Sequence, residues 1–217
     1  MASRHSPRIM DQEIHNCFGI FDGNNVDLSG LSPVQALGKV SAIAMLTTER
    51  VGRVTEDSTM AQARPRLSRI NERGLVTFDS QMGVKEGSGS ELHWQRSYVV
   101  GMLPRQLARK FMNRMRLVDG VTLYVNEFKN IPFNMDLQFV PVTRYGDEMH
   151  TSVPMTSVPF EEGELLPAVE SIMHERTCRE LVKDDAIRVA VVDTVWGRPF
   201  WLFEKISDVL DEVHSEG

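Results

Sequence analysis

Thr77, Ser80 and Gln81 fall within five residues of one another, beside Asp79. Hydroxyls both donate and accept hydrogen bonds, and a glutamine amide carries a donor and an acceptor together. None of the three is a strong acid, base or metal ligand, so the cluster suits recognition of a polar small molecule better than bond-breaking. Apolar runs at Leu75–Phe78 and Tyr98–Leu103 flank it, with a Gly/Ser-rich stretch between. The pattern reads as a strand, a polar patch, a flexible connection and a return strand. On pattern alone the plainer alternative is favoured: a strand-to-loop transition in which Thr, Asp and Ser turn the chain.

Other chemistries find less support. His174-Glu175 opens like HExxH, but Cys178 stands at the second His position, so no zinc-protease site follows. The six histidines are scattered and none has metal-ligand spacing with Cys or carboxylates, so no metal is expected. Gly87-Ser88-Gly89 matches neither phosphate-binding glycine motif. Ser80 lacks an evident His/Asp partner, which argues against a hydrolase. Arg105, Arg109, Lys110, Arg114 and Arg116 make a basic amphipathic segment with Phe111, Met112 and Met115. Such a segment can bind acidic partners, nucleic acid or membranes. The favoured reading is a core-covering helix with a solvated face.

The chain has 217 residues, 41% of them hydrophobic, and a net charge of −6. That length fits one large domain or two small ones. The acidic balance argues against non-specific nucleic-acid binding. Two cysteines, Cys17 and Cys178, form no CxxC pair and no disulfide framework, so a reducing, cytoplasmic location is the default. No apolar run reaches the roughly 18 residues of a membrane span, and no secretory signal is visible. Residues 1–12 read as a flexible tail and 13–217 as a single domain.

The elements that must position the cluster can be read from periodicity. Ser32-Pro33 starts a helix with Val34, Leu37, Val40 and Ala44 on one face. Glu49–Thr59 reads as a loop and Ala61–Glu72 as a helix weakened early by Pro65 and capped by Gly74. Pro104 opens a helix with Leu107, Phe111 and Met115 inward. Val121–Val125 is a strand, and Leu137–Thr143 with Glu148–Val153 a hairpin. Helices are expected from about Glu164 and over Thr177–Lys183. Ile187–Val192 reads as a central strand and Leu202–Val213 as an amphipathic helix. Without strict βαβ alternation, the fold class is α+β, with antiparallel-rich mixed sheets flanked by helices.

The block Arg69-Ile70-Asn71-Glu72-Arg73-Gly74-Leu75-Val76-Thr77, then Ser80-Gln81, then Gln95-Arg96-Ser97-Tyr98-Val99, resembles the signature of the C-terminal regulatory domain of eukaryotic methylenetetrahydrofolate reductase. Small free-standing proteins of bacteria and large DNA viruses share the block. Val121–Val125, Val140-Pro141-Val142-Thr143 with Thr151, and Ile187–Asp193 with Phe200-Trp201-Leu202 extend the likeness in order, over roughly residues 58–213. The resemblance implies a domain that binds S-adenosylmethionine or S-adenosylhomocysteine and regulates rather than catalyses. It implies ligand contacts from Thr77, Ser80, Gln81 and Thr151, from Thr143 in the same hairpin, and from main chain near Thr59. Three positions depart from the family: Met82 replaces Pro, Thr59-Met60 replaces Glu-Thr, and Pro154-Met155 replaces Asp-Pro. The reductase's flavin-binding barrel needs about 250 residues, so the chain cannot hold one beside the matched region, and flavin and folate are not implied. The expectation is a free-standing adenosyl-binding module with an output in a protein partner, and no nucleic-acid or membrane partner. The alternatives are an enzyme acting on a nucleoside or nucleotide in the same pocket, or a ligand-free interaction module of the viral kind.

Overall fold

The computed structural model describes residues 7–21, 24–47, 58–88, 92–127, 139–154, 181–182 and 184–216. The helices expected from Glu164 and over Thr177–Lys183 lie essentially outside these residues.

Five helices are described. α1 spans Pro7–Phe18, so helix begins inside the segment expected to be a tail. A short hairpin follows, β1 (Ile20–Phe21) with β2 (Asn24–Asn25). α2 spans Pro33–Thr47 and starts with a reciprocal cap. The Ser32 N–H donates to Gln35 Oε1 at 2.9 Å, and the Gln35 N–H donates to Ser32 Oγ at 3.4 Å. Its expected inner face, Val34, Leu37, Val40 and Ala44, is buried.

α3 spans Ser58–Glu72. It starts earlier than the sequence indicates, taking Ser58 and Thr59 from the expected loop. Pro65 sits exposed within it. An interior proline costs about 3 kcal/mol or more. Burial of Ala63, Leu67 and Ile70, at roughly 1.5–3 kcal/mol for each large side chain, offsets that cost. The helix ends as expected at Gly74, whose φ is 90°. The Gly74 N–H donates to Asn71 O, and the Leu75 N–H donates to Ile70 O, the paired bonds of a Schellman turn. The chain then runs back along the helix as β3.

The first sheet is antiparallel, in the order β3 (Val76–Gln81), β6 (Tyr98–Pro104), β10 (Ala186–Asp193), β7 (Val121–Glu127). β10 is buried throughout, as its apolar run implies. One face packs Val76, Val100, Met102 and Val192 with residues of α1 and α2. The other packs Leu75, Val99, Val189 and Val191 with α3, α4 (Arg105–Met115) and α5 (Trp201–Ser215). Helices thus cover both sides of this sheet. The second sheet is also antiparallel, in the order β4 (Val84–Glu86), β5 (His93–Gln95), β8 (Phe139–Tyr145), β9 (Glu148–Pro154). The fold is α+β.

One ribbon joins the two sheets. β3 pairs with β6 through Gln81↔Tyr98, and β4 pairs with β5 from Val84↔Gln95, so the register runs unbroken between them. Across the join the Gly83 N–H donates to Ser97 Oγ at 2.6 Å, and Ser97 Oγ donates to Arg198 O at 2.9 Å. Asp79-Ser80-Gln81 is therefore strand, not the turn that the sequence pattern favours.

Cys17 is disulfide-bonded, against the expectation of no disulfide. The chain's other cysteine, Cys178, lies outside the described residues. Among those residues no helix is long and apolar enough to cross a membrane.

Candidate functional site

Strand alternation separates the expected ligand residues. Thr77 pairs with Gly101 and Ser80 with Val99, which puts both on the ribbon face covered by α3. A bulge at Phe78 makes this possible, since Thr77 and Ser80 would otherwise point to opposite faces. Gln81 pairs with Tyr98 and belongs to the opposite face, with Asp79. The cluster that looked contiguous in sequence is thus divided.

Thr77 has a structural role. It is 2% exposed, and its N–H donates to Asn71 Oδ1 at 2.7 Å. Asn71 Nδ2 in turn lies 3.0 Å from Thr77 Oγ1 and 2.8 Å from Leu67 O, donating to both. Asn71 thereby ties the end of α3 to the start of β3. Ser80 is half-buried and Gln81 exposed, and neither side chain has a hydrogen-bond partner.

Thr143 and Thr151 are direct cross-strand partners in the β8–β9 hairpin. Gln95 pairs with Thr143 from the other side, so Gln95, Thr143 and Thr151 form one row across three strands. Gln95 is 6% exposed and Thr143 9% exposed, and among the described residues neither side chain has a hydrogen-bond partner. Along the ribbon Gln95 shares the Thr77/Ser80 face. Thr59 lies in the first turn of α3. That helix is roughly 22 Å long. The returning strand has a similar length of roughly 20 Å. Gln95 is the residue that sequence reading missed as a site member. Its place beside Arg96-Ser97-Tyr98 marked it as part of the block, but its partner Thr143 is 48 positions away.

The opposite face carries a second polar group. Tyr98 Oη donates to Asp79 Oδ1 at 3.0 Å. Burial pushes the Asp79 carboxyl above its ordinary value, and the hydrogen bond from Tyr98 opposes that shift. Burial and the Asp79 carboxylate both raise the Tyr98 hydroxyl. Arg188, 4% exposed, lies with its guanidinium 5.4 Å from the Phe78 ring centroid.

Beyond β10, the fully buried Asp193 holds the turn into α5. Its Oδ2 accepts from Arg198 Nε at 2.9 Å, its Oδ1 accepts from Arg198 Nη2, and the Val195 N–H donates to Oδ1 at 2.8 Å. A cleft of about 290 Å³ lies elsewhere, lined by Asp11, Gln12, His15, Leu28 and Ser29, and contains none of the expected ligand residues. Among the described residues no group of three His, Cys, Asp or Glu side chains could hold a metal ion.

An antiparallel α+β domain with a polar row on a shared ribbon is the class these observations define. The chain belongs to the family described as a domain of unknown function (DUF6919), which matches residues 40–213. No curated protein matches it.

Proposed function

We propose that the chain is a regulatory-type module that binds S-adenosylmethionine or S-adenosylhomocysteine on the α3-covered face of the ribbon. The Gln95–Thr143–Thr151 row carries this reading. Gln95 and Thr143 are largely buried side chains whose polar atoms reach the surface and have no hydrogen-bond partner among the described residues, so they are open to a ligand. A ligand rich in donors and acceptors can bond to both.

The parts of the ligand have suitable counterparts. The helix N-terminus at Ser58-Thr59 offers unpaired N–H groups and a positive dipole end to a carboxylate. Ser80 Oγ and Gln95 Oε1 can accept from the ammonium group, for which the family's Glu is replaced here. Ser80, Gln95 and Thr143 are neutral, so the site binds rather than reacts. Thr77 serves as the anchor of the site's floor, and Gln81 lies off this face. Flavin and metal have no part in the reading, and the regulatory output passes to a protein partner.

A cytoplasmic location belongs to the same proposal. The Cys17 disulfide counts against it, since cytosolic thiols are held reduced. Thiol trapping of the protein in its source cells decides between the two. Titration calorimetry with the two adenosyl compounds tests the binding itself.

A further inference from the structure

Three cations and two indoles alternate across one face of the second sheet. Lys85 Nζ lies 4.3 Å from the Trp94 ring centroid, and Arg144 lies 5.1 Å from the same ring. Arg144 also lies 4.9 Å from Trp196, and Arg96 covers Trp196 from 4.2 Å. The pairing Lys85↔Trp94↔Arg144 sets the first three side by side across β4, β5 and β8. Trp196 comes from the turn that Asp193 and Arg198 fix, so the ladder also fastens β10 to the second sheet.

The charges in this ladder are unmatched. Among the described residues Lys85, Arg96 and Arg144 form no ion pair, although the chain as a whole carries −6. The carboxylate that acts on Arg96, Asp193, is already taken by Arg198. Burial lowers the Arg96 value, with Asp193 opposing and Arg144 adding to the shift. The Nε donors of Arg96 and Arg144 are buried without acceptors. Arg96 gives one long bond, from Nη1 to Pro141 O at 3.4 Å.

We propose that the ladder is a binding site for a small molecule carrying a di- or triphosphate group. Guanidinium edges match phosphate oxygens, and the indoles packed against the guanidinium groups restrict their orientations. Successive cations stand up to roughly 9 Å apart across one indole, so the charge forms a row and suits more than one phosphate. Trp196 has two guanidinium groups against it, and Trp94 an ammonium and a guanidinium, so both rings are already engaged by cations. That favours a phosphate-bearing small molecule over single-stranded nucleic acid, which needs open aromatic faces. The site uses the faces of β5 and β8 opposite to the Gln95/Thr143 row, and it stands whether or not that row binds an adenosyl compound.

The test is titration of the full chain with inorganic pyrophosphate and tripolyphosphate at constant ionic strength, followed by tryptophan fluorescence and calorimetry. Saturable binding is expected, tighter for tripolyphosphate. Arg144→Gln should weaken it by about tenfold or more and Lys85→Gln by a few-fold. Lys110→Gln, on α4, should change nothing. Because Arg144 also fastens the sheets, Lys85→Gln at the exposed end keeps the test independent of folding, with the melting temperature as a check. A nucleoside diphosphate should bind no tighter than pyrophosphate. Absence of saturable binding by wild type, or unchanged affinity in both ladder variants, would overturn the proposal. So would tighter, ladder-dependent binding of a single-stranded oligonucleotide than of tripolyphosphate.

Discussion

Asn71 and Thr77 separate a structural role from a binding role. Asn71 is fully buried, bonds to Thr77 through both its Oδ1 and its Nδ2, joining α3 to β3, and also donates to Leu67 O within α3. Asn71→Ala should cost about 2–4 kcal/mol in denaturant unfolding, because it leaves the Thr77 N–H and hydroxyl without partners. Thr77→Val should cost about 1–2 kcal/mol and leave adenosyl affinity unchanged. Ser80→Ala and Gln95→Ala should do the reverse, weakening binding by roughly 1–2 kcal/mol each with little change in melting temperature. The sequence could not make this division. A single bulged residue decides which side chains share a face, and nothing in Thr-Phe-Asp-Ser-Gln marks the bulge.

Two carboxylates give opposite pH signatures. Burial raises Asp79, so the folded state holds its proton more tightly than the unfolded chain does. Its contribution is present at acid pH and falls as pH rises through the window just above the ordinary carboxylate value. For Asp211, burial acts upward but is outweighed by Arg73 and Arg69, and the net shift is downward. Its contribution is present above the ordinary value and is lost as pH falls below it. Urea midpoints measured between roughly pH 3 and 6 should therefore lose the high-pH decline in Asp79→Asn and part of the acid-side decline in Asp211→Asn.

At the scale of elements, Gly83 shows how close the ribbon and the start of α5 must come. A Cβ there would stand 2.5 Å from the Arg198 carbonyl oxygen and 2.7 Å from two further backbone atoms of Arg198. Backbone on one side cannot yield as a side-chain tip can. Gly83→Ala should cost about 2–4 kcal/mol and disturb both the Ser97 bridge and the Trp196 turn, as thermal unfolding and near-ultraviolet circular dichroism would record. The sequence carries no local sign of this contact, because the two segments are more than 100 residues apart.

Long periodic elements were legible. α2, α4, α5 and β10 have caps or apolar patterns that agree with their burial, because their faces are decided by the core. β4 and β5 were not. Val84-Lys85-Glu86 and His93-Trp94-Gln95 have no strong alternation, and they are strands because each pairs with a neighbour in a continuing register. The start of α3 was hidden by Pro65, whose position argues against helix locally and is overruled by the packed face behind it. The site inherits these limits: Thr143 and Thr151 could be placed in a hairpin from sequence, but their pairing with each other and with Gln95 is a matter of register.

The whole molecule is acidic, yet α4 displays Arg105, Arg109, Lys110, Arg114 and Arg116 on its exposed side, with Leu107, Ala108, Phe111 and Met115 buried beneath. Arg114 is paired with Glu216 from the end of the chain. Changing Arg105, Arg109 and Arg114 to Glu should leave the fold intact, since exposed ion pairs contribute only about 0–1 kcal/mol. Affinity purification from the source organism should recover the same proteins with wild type and the triple variant. A partner retained by wild type alone would make α4 the output surface of the module. The central claim concerns Ser80 and the Gln95–Thr143–Thr151 row. Isothermal titration calorimetry of the purified chain with S-adenosylmethionine and S-adenosylhomocysteine tests it most directly. The account predicts one site per chain with micromolar affinity, on the order of −7 to −8 kcal/mol, weakened by Ser80→Ala and Gln95→Ala but not by Thr77→Val. No heat and no thermal stabilisation at millimolar ligand, in protein shown to be folded, would contradict it.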